Sequence, residues 1–202
     1  SFGHASIFSF HWAKVITSIE GGCVAVNNEK TANNIRRVRN LGRTELYNPK
    51  THGAHYSFDA YGLNFRTNDV FSAIGRVQLT KINRHLEHRK QLANYYKDRL
   101  SNYFEFQEIP NYVKQHANMF FGILAPANKR DKIIEFLFKA GISTRITFPP
   151  THLAKWYRKM FDVQTLRNTE ELGESILSVP IGNKITISQV DRVILTLKKA
   201  LQ

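Results

Sequence analysis

Phe8-Ser9-Phe10-His11-Trp12-Ala13-Lys14-Val15-Ile16-Thr17-Ser18-Ile19-Glu20-Gly21-Gly22 is the stretch that decides the reading of this 202-residue chain. Just before the loop, Ser6-Ile7-Phe8-Ser9-Phe10 alternates apolar and small polar residues, the period-two pattern of a strand. Beyond it, Gly21-Gly22 signals a turn, and Cys23-Val24-Ala25-Val26 is a second compact β-like run. Lys14 therefore falls in a loop just past a strand end, flanked by aromatic residues and closed by glycines. Loops at strand ends are where α/β proteins place reactive groups. A lysine at its reference pKa of ~10.4 is neutral in only about 1 part in 2,500 at pH 7. Desolvation or a cationic neighbour is needed to make it a nucleophile, and an apolar pocket supplies the first. Without such a pocket, a lysine in a loop is a plain surface residue.

Outward from this loop, Ala32, Ile35, Val38 and Leu41 recur at spacings of three and predict a helix over 30–41, with Gly42 as its stop. Residues 43–66 read as loop, broken by Asn48-Pro49, Gly53 and Gly62. A long helical region is expected over 68–101, with Asn68 as N-cap and Asp69 in the first turn. Val70, Ile74, Val77, Leu79, Ile82 and Leu86 form its apolar side, and a joint is expected near 83–88. Phe104-Glu105-Phe106 and residues 118–124 read as strands. Lys129–Ala140 reads as a helix with Ile133, Ile134, Leu137 and Phe138 inward and Gly141 as its end. Shorter helices are expected over 153–161 and 169–177. Ser188-Gln189-Val190-Asp191 resembles a capping box opening a last helix, whose buried stripe is Val190, Val193, Ile194, Leu197 and Leu201. The order of elements is an α/β half followed by an α+β half.

Composition narrows the function classes. Hydrophobic residues at 42% and charged residues at 22% are globular values and exclude a disordered chain. The net charge of +13 raises nucleic acid or another anion as a partner. The densest basic runs, Arg36-Arg37-Val38-Arg39 and Arg84-His85-Leu86-Glu87-His88-Arg89-Lys90, lie in helical segments and read as solvated helix faces. The single cysteine, Cys23, excludes a cysteine-rich zinc module and fits a reducing, cytoplasmic compartment. No RNP-type strand or helix-turn-helix is legible, so nucleic acid is not expected, and no metal site is expected either. No apolar run approaches the ~20 residues of a membrane-spanning helix, and no signal peptide is legible.

Such an activated lysine is best known for holding pyridoxal phosphate (PLP). Ser-Phe-x-x-x-Lys followed by Glu-Gly-Gly, here Ser9 to Gly22, resembles the cofactor-lysine motif of the DegT/DnrJ/EryC1/StrS aminotransferases. Tyr61-Gly62-Leu63-Asn64-Phe65-Arg66, then Asp69, Ala73-Ile74-Gly75 and Gln78-Leu79, is similar to that family's Gly-x-Asn-x-Arg stretch opening a long helix. Pro149-Pro150-Thr151-His152-Leu153, Tyr157 and Ser178-Val179-Pro180 resemble its C-terminal segments. The resemblance implies a fold-type-I, aspartate-aminotransferase-like α/β fold. Residues 1–86 would be the C-terminal part of the large PLP-binding domain, and residues 87–202 the small α+β domain. It implies transfer of an amino group from an amino acid, with glutamate expected, to a nucleotide-linked keto-sugar, as in polysaccharide or antibiotic sugar biosynthesis.

The same resemblance assigns roles. Lys14 would hold the cofactor covalently and shuttle the proton. Ser9 would donate to the cofactor phosphate. Asn64 would reach the phosphate in a neighbouring subunit, so that a homodimer shares its sites. Arg66 would be structural or phosphate-proximal, His11 and Trp12 would be pocket walls, and His152 would face the sugar nucleotide. In the family a comparable length precedes the lysine and supplies the phosphate cradle, the stacking aromatic and the carboxylate paired to the ring nitrogen. The chain is therefore expected to begin inside a domain and to be inactive alone: a fragment, a split-gene product needing an N-terminal half, or a degenerate relative. The alternative is a non-catalytic remnant acting as a basic interaction or nucleic-acid-binding module.

Overall fold

The computed structural model of the chain describes residues 3–48, 53–126 and 128–202. Pro49, read above as a breaker, lies outside the described residues, as do Ser1 and Phe2. The chain divides into two compact units, residues 1–82 and 83–202.

Unit 1 begins with strand β1 (Ala5–Ser9) and strand β2 (Gly22–Val26), which pair antiparallel with Ser9 opposite Gly22. Helix α1 (Glu29–Val38) follows, capped by Asn28, whose Oδ1 accepts from Thr31 N at 2.9 Å. The segment read as loop over 43–66 contains a hairpin instead. Strand β3 (Arg43–Asn48) and strand β4 (Gly53–Phe58) pair antiparallel, with Asn48 opposite Gly53. The described ladder ends at the Asn48–Gly53 pair, and the pairing that makes it is a cross-strand interaction that no local pattern displays.

Helix α2 (Asp69–Thr80) is capped by Asn68, as expected, with Phe71 N donating to its side chain at 2.8 Å. The long helical region breaks at Lys81, earlier than the expected 83–88. There Thr80 Oγ1 donates to Val77 O at 2.8 Å and Lys81 N to Gln78 O at 3.0 Å, a tightened last turn. Val70, Val77 and Leu79, expected on the buried side, are exposed.

Unit 2 holds the hydrophobic core. Helix α3 (Ile82–Leu100) buries Leu92, Ala93, Tyr96 and Leu100. Strands β5 (Glu105–Phe106), β6 (Phe121–Leu124) and β7 (Ile176–Val179) form an antiparallel sheet in that order. Tyr96 stacks on Phe121 with ring centroids 5.1 Å apart, and its hydroxyl donates to Pro180 O at 2.9 Å. Helix α4 (Arg130–Lys139) buries Ile133 and Leu137 and ends at Gly141, where φ is 71°. Ile134 packs against the core in part, whereas Phe138 is 76% exposed.

A 3₁₀ turn (Thr151–Leu153) leads into helix α5 (Lys155–Met160), and helix α6 (Arg167–Ser175) follows. The helix expected to reach residue 177 stops at Ser175, because Leu177 and Val179 are buried in the ladder with β6. Helix α7 (Ile187–Ala200) buries Val190, Val193, Ile194 and Leu197, as its spacing predicts, with Leu201 partly buried. Its capping box is formed by Thr186 and Gln189, two residues before the expected one. Thr186 is extended and Gln189 supplies the reciprocal amide, so the Thr-x-x-Gln pattern falls there.

Every buried apolar side chain among the described residues belongs to unit 2. Among the described residues of unit 1 only Ser18 and Gly42 are buried, while Ile7 is 83%, Val70 68% and Phe65 67% exposed.

Candidate active site

The β1–β2 connection is built around one carbonyl. Phe10 O accepts from Ser18 N at 2.9 Å and from Thr17 Oγ1 at 3.0 Å, drawing the two ends of the lysine loop together. Phe10 N donates to Gly21 O at 2.8 Å, extending the hairpin one pair beyond Ser9–Gly22. Gly21 has φ of 145°, outside the range of ordinary side-chain-bearing residues, which is why glycine stands there. Thr17 Oγ1 also accepts from Ile19 N at 2.8 Å, and buried Ser18 donates its hydroxyl to Glu20 O at 2.9 Å. Thr17 and Ser18 thus set the loop's shape. The sequence reading passed over them, since hydroxyls in a loop carry no distinctive signal.

Within this frame Lys14 N donates to His11 O at 2.9 Å, a turn that places the lysine at the loop's bend. Lys14 is half-buried, and no described residue forms a salt bridge or hydrogen bond with its amine. His11 Nδ1 accepts from Ala13 N at 3.2 Å, which leaves the Nε2 side toward Glu20 Oε1, 3.7 Å away. The His11 ring is tilted on Trp12 at 5.2 Å between centroids, and Trp12 is 64% exposed. Ser9 is exposed. Its Oγ accepts a long bond from His11 N at 3.4 Å and keeps its own proton to donate.

Asn64 is held by a second backbone device. Leu63 N donates to Val38 O at 2.8 Å, Phe65 N to Arg39 O at 2.9 Å, and Leu41 N to Leu63 O at 3.1 Å. Asn64 itself is bridged to Asn40. This docking needs two glycines back to back: a Cβ on Gly62 would sit 2.0 Å from Gly42 N, and Gly42 has φ of 71°. Asn64 Oδ1 accepts from Arg66 Nε at 2.9 Å, so its amide N–H groups remain available. Arg66 positions Asn64 in this way.

Ser9, Lys14 and Asn64 all belong to unit 1, and His152 belongs to unit 2. His152 is half-buried, with Nε2 3.0 Å from Glu170 Oε1. Glu170 also accepts from Leu166 N at 3.0 Å. The contact with His152, then the Leu166 N–H, hold the Glu170 carboxyl below the ordinary glutamate range. Glu170 was not legible as a site residue, because it lies on a separate helix.

Beside the hairpin, an apolar cavity of about 830 Å³ is lined by residues such as Phe8, Cys23, Val24, Ile35, Phe65 and Phe71. Ser9, Lys14 and Asn64 do not line it. Among the described residues no cluster of His, Cys, Asp or Glu is arranged to hold a metal ion. None of their helices is long and apolar enough to cross a membrane.

A lysine loop closed on a strand end, followed by a helix-bearing half and a small mixed domain, defines the fold class of PLP-dependent, fold-type-I aminotransferases. Residues 1–198 match the profile of the DegT/DnrJ/EryC1/StrS aminotransferase family, and the chain belongs to that family. It is 30% identical over 203 aligned positions to the UDP-4-amino-4,6-dideoxy-N-acetyl-beta-L-altrosamine transaminase of Campylobacter jejuni serotype O:2. That match covers 98% of this chain and 52% of the relative. Helicobacter pylori PseC, an aminotransferase involved in the biosynthesis of pseudoaminic acid, superposes with a TM-score of 0.89 at 25% identity. It covers 98% of this chain and 53% of PseC. Streptococcus pneumoniae Spr1654 in its PLP form superposes at 0.86 and 20% identity, over 99% of this chain and 52% of that one. The chain thus spans about half the length of the relatives it matches.

Proposed function

We propose that the chain is part of a PLP-dependent aminotransferase moving an amino group from glutamate to a nucleotide-linked keto-sugar. The observation that carries this reading is Lys14: a half-buried lysine whose amine pairs with no described residue, at the bend of a loop fastened to Phe10 O, in a chain of this family. The UDP-sugar transaminase among the relatives supports the acceptor class, and the PLP form of Spr1654 supports the cofactor.

The donor set fits that cofactor. Lys14 offers a primary amine for a carbonyl, while Ser9 Oγ–H and the Asn64 amide offer hydrogen bonds to a phosphate. When bound, PLP supplies the electron sink that lets an amino group leave one carbon and arrive at another. Lys14 Nζ is placed to take the proton from the substrate carbon and return it. Asn64 serves the phosphate of a neighbouring subunit in a homodimer. His152, oriented by Glu170, faces the sugar nucleotide. Residues 1–86 act as the end of the large domain and residues 87–202 as the small domain.

Completion by the half of the fold that the relatives carry in addition is part of this proposal. Unit 1 exposes Ile7, Phe65 and Val70, and none of its described apolar side chains is buried, so its cofactor frame lacks the packing that gives a site precise geometry. The 202-residue chain alone is accordingly expected to hold PLP weakly and to show no turnover. The test is borohydride trapping of PLP followed by peptide mapping, with Lys14→Ala as control. Weak trapping that favours Lys14 over exposed lysines, without transfer of ¹⁵N from glutamate to a UDP-keto-sugar, is the expected result. Trapping with no preference for Lys14 overturns the cofactor assignment. Strong trapping with ¹⁵N transfer overturns the need for a second half.

A further inference from the structure

Ser18 is only 5% exposed, in a unit none of whose described apolar side chains is buried. Two glycines make room for it. A Cβ on Gly21 would sit 2.8 Å from Ser18 Oγ, and a Cβ on Gly75 would sit 3.2 Å from Ser18 Cβ. Gly75 lies inside helix α2, where glycine is the poorest helix former after proline. No cap or turn falls there, so the close approach of Ser18 is what calls for glycine. The Lys14 loop is thus seated on α2 through Ser18. The seat is not free to shift, because Ser18 N donates to Phe10 O and Ser18 Oγ to Glu20 O, each at 2.9 Å.

Beside the seat the backbone is strained. Ile19 has φ of 72°, in the left-handed region that a β-branched residue adopts only where its surroundings impose it. Thr17 imposes it. Its hydroxyl donates to Phe10 O at 3.0 Å and accepts from Ile19 N at 2.8 Å, so one oxygen ties both sides of the turn. Thr17 and Ser18 stand three and four residues after Lys14, and His11 O holds Lys14 N from the other side. So short a span transmits a shift of its anchors to the lysine. Strain of this kind gathers where geometry matters to function.

We propose that Thr17, Ser18 and Gly75 are positioning residues, whose seat on α2 sets where the Lys14 amine stands. The catalytic meaning of this role rests on the reading of Lys14 as the cofactor lysine; the seat itself is measurable without cofactor. The test is competitive acetylation of the full chain by trace acetic anhydride, without PLP, read by mass spectrometry as labelling of Lys14 relative to exposed Lys30. Thr17→Val removes the hydroxyl at nearly constant shape and is expected to raise that ratio about threefold or more as the loop opens. Thr17→Ser keeps the hydroxyl and is expected to keep the parent ratio. Gly75→Val is expected to raise it as Thr17→Val does, with helix content by circular dichroism retained, because valine is a better helix former than glycine. Ala73→Val, at an exposed position of the same helix, is the control and is expected to leave the ratio unchanged. A ratio unchanged in both Thr17→Val and Gly75→Val overturns the proposal, and so does a ratio that Thr17→Ser raises as much as Thr17→Val. Borohydride trapping of PLP in the unsubstituted chain separates the two readings. Trapping that prefers Lys14, together with unchanged ratios, overturns the positioning role alone. Raised ratios without that preference uphold the seat and overturn the cofactor assignment.

Discussion

Gly62→Ala tests the backbone frame that holds Asn64. The added methyl would lie 2.0 Å from Gly42 N, 2.5 Å from Leu41 C and 2.7 Å from Gly42 Cα. All three are backbone atoms, so no rotamer change relieves the clash, and the two segments must separate by about 1 Å or more to reach normal contact. Three hydrogen bonds span that gap: Leu63 N to Val38 O, Phe65 N to Arg39 O, and Leu41 N to Leu63 O. At about 1 kcal/mol net each, their loss costs about 3 kcal/mol locally, roughly a hundredfold in an opening equilibrium. Hydrogen exchange measured by mass spectrometry on the peptide holding Leu63 and Phe65 is the assay, and their protection is expected to fall by about that factor. Gly182→Ala is the control, because its Cβ meets only Ile185 Cγ1, at 3.5 Å. Protection at Leu63 and Phe65 equal to that of the unsubstituted chain would refute the close-approach argument, and with it the account of how Asn64 is positioned.

Three other outcomes follow from unit 2. Thr186→Ala removes one arm of the α7 capping box and is expected to cost about 1 kcal/mol in urea unfolding; Gln189→Ala in the same background should then cost less than it does alone. Leu197→Ala empties a fully buried position and is expected to cost about 2–5 kcal/mol by the same measurement. The carboxyl of Glu170 is held below its ordinary 4.5 by His152 and Leu166. Its contribution to stability is therefore complete above pH 4.5 and disappears as pH falls through the lower folded value. Unfolding measured from pH 6 down to pH 3 should show this loss in the parent chain and not in Glu170→Gln.

What was legible in the sequence was local or strongly periodic. The inward stripe of α7, the Asn68 cap and the stop at Gly141 follow from spacing and backbone preference within a few residues. Residues 6–26 read as strand, loop and strand for the same reason, and the motif from Ser9 to Gly22 leads to the family the profile identifies. The hairpin β3–β4 and strand β7 were missed because their stability is in pairing with residues elsewhere in the chain. Helical spacing placed Phe138 and Val77 inward, yet both are exposed, since a helix's own pattern does not say which neighbour covers it.

The sequence alone determined where the candidate lysine stands and which family's motifs surround it, since both are matters of residue order. The tertiary structure decided what no residue order displays: that Phe10 O fastens the lysine loop, that Gly42 and Gly62 meet to hold Asn64, and that Glu170 holds His152. It also turned part of an arginine run, read as a solvated face, into the wall of a cavity shared with Arg43 and Arg66. These are contacts between segments distant in sequence. Their energies depend on distance in space, and a linear pattern does not encode that distance.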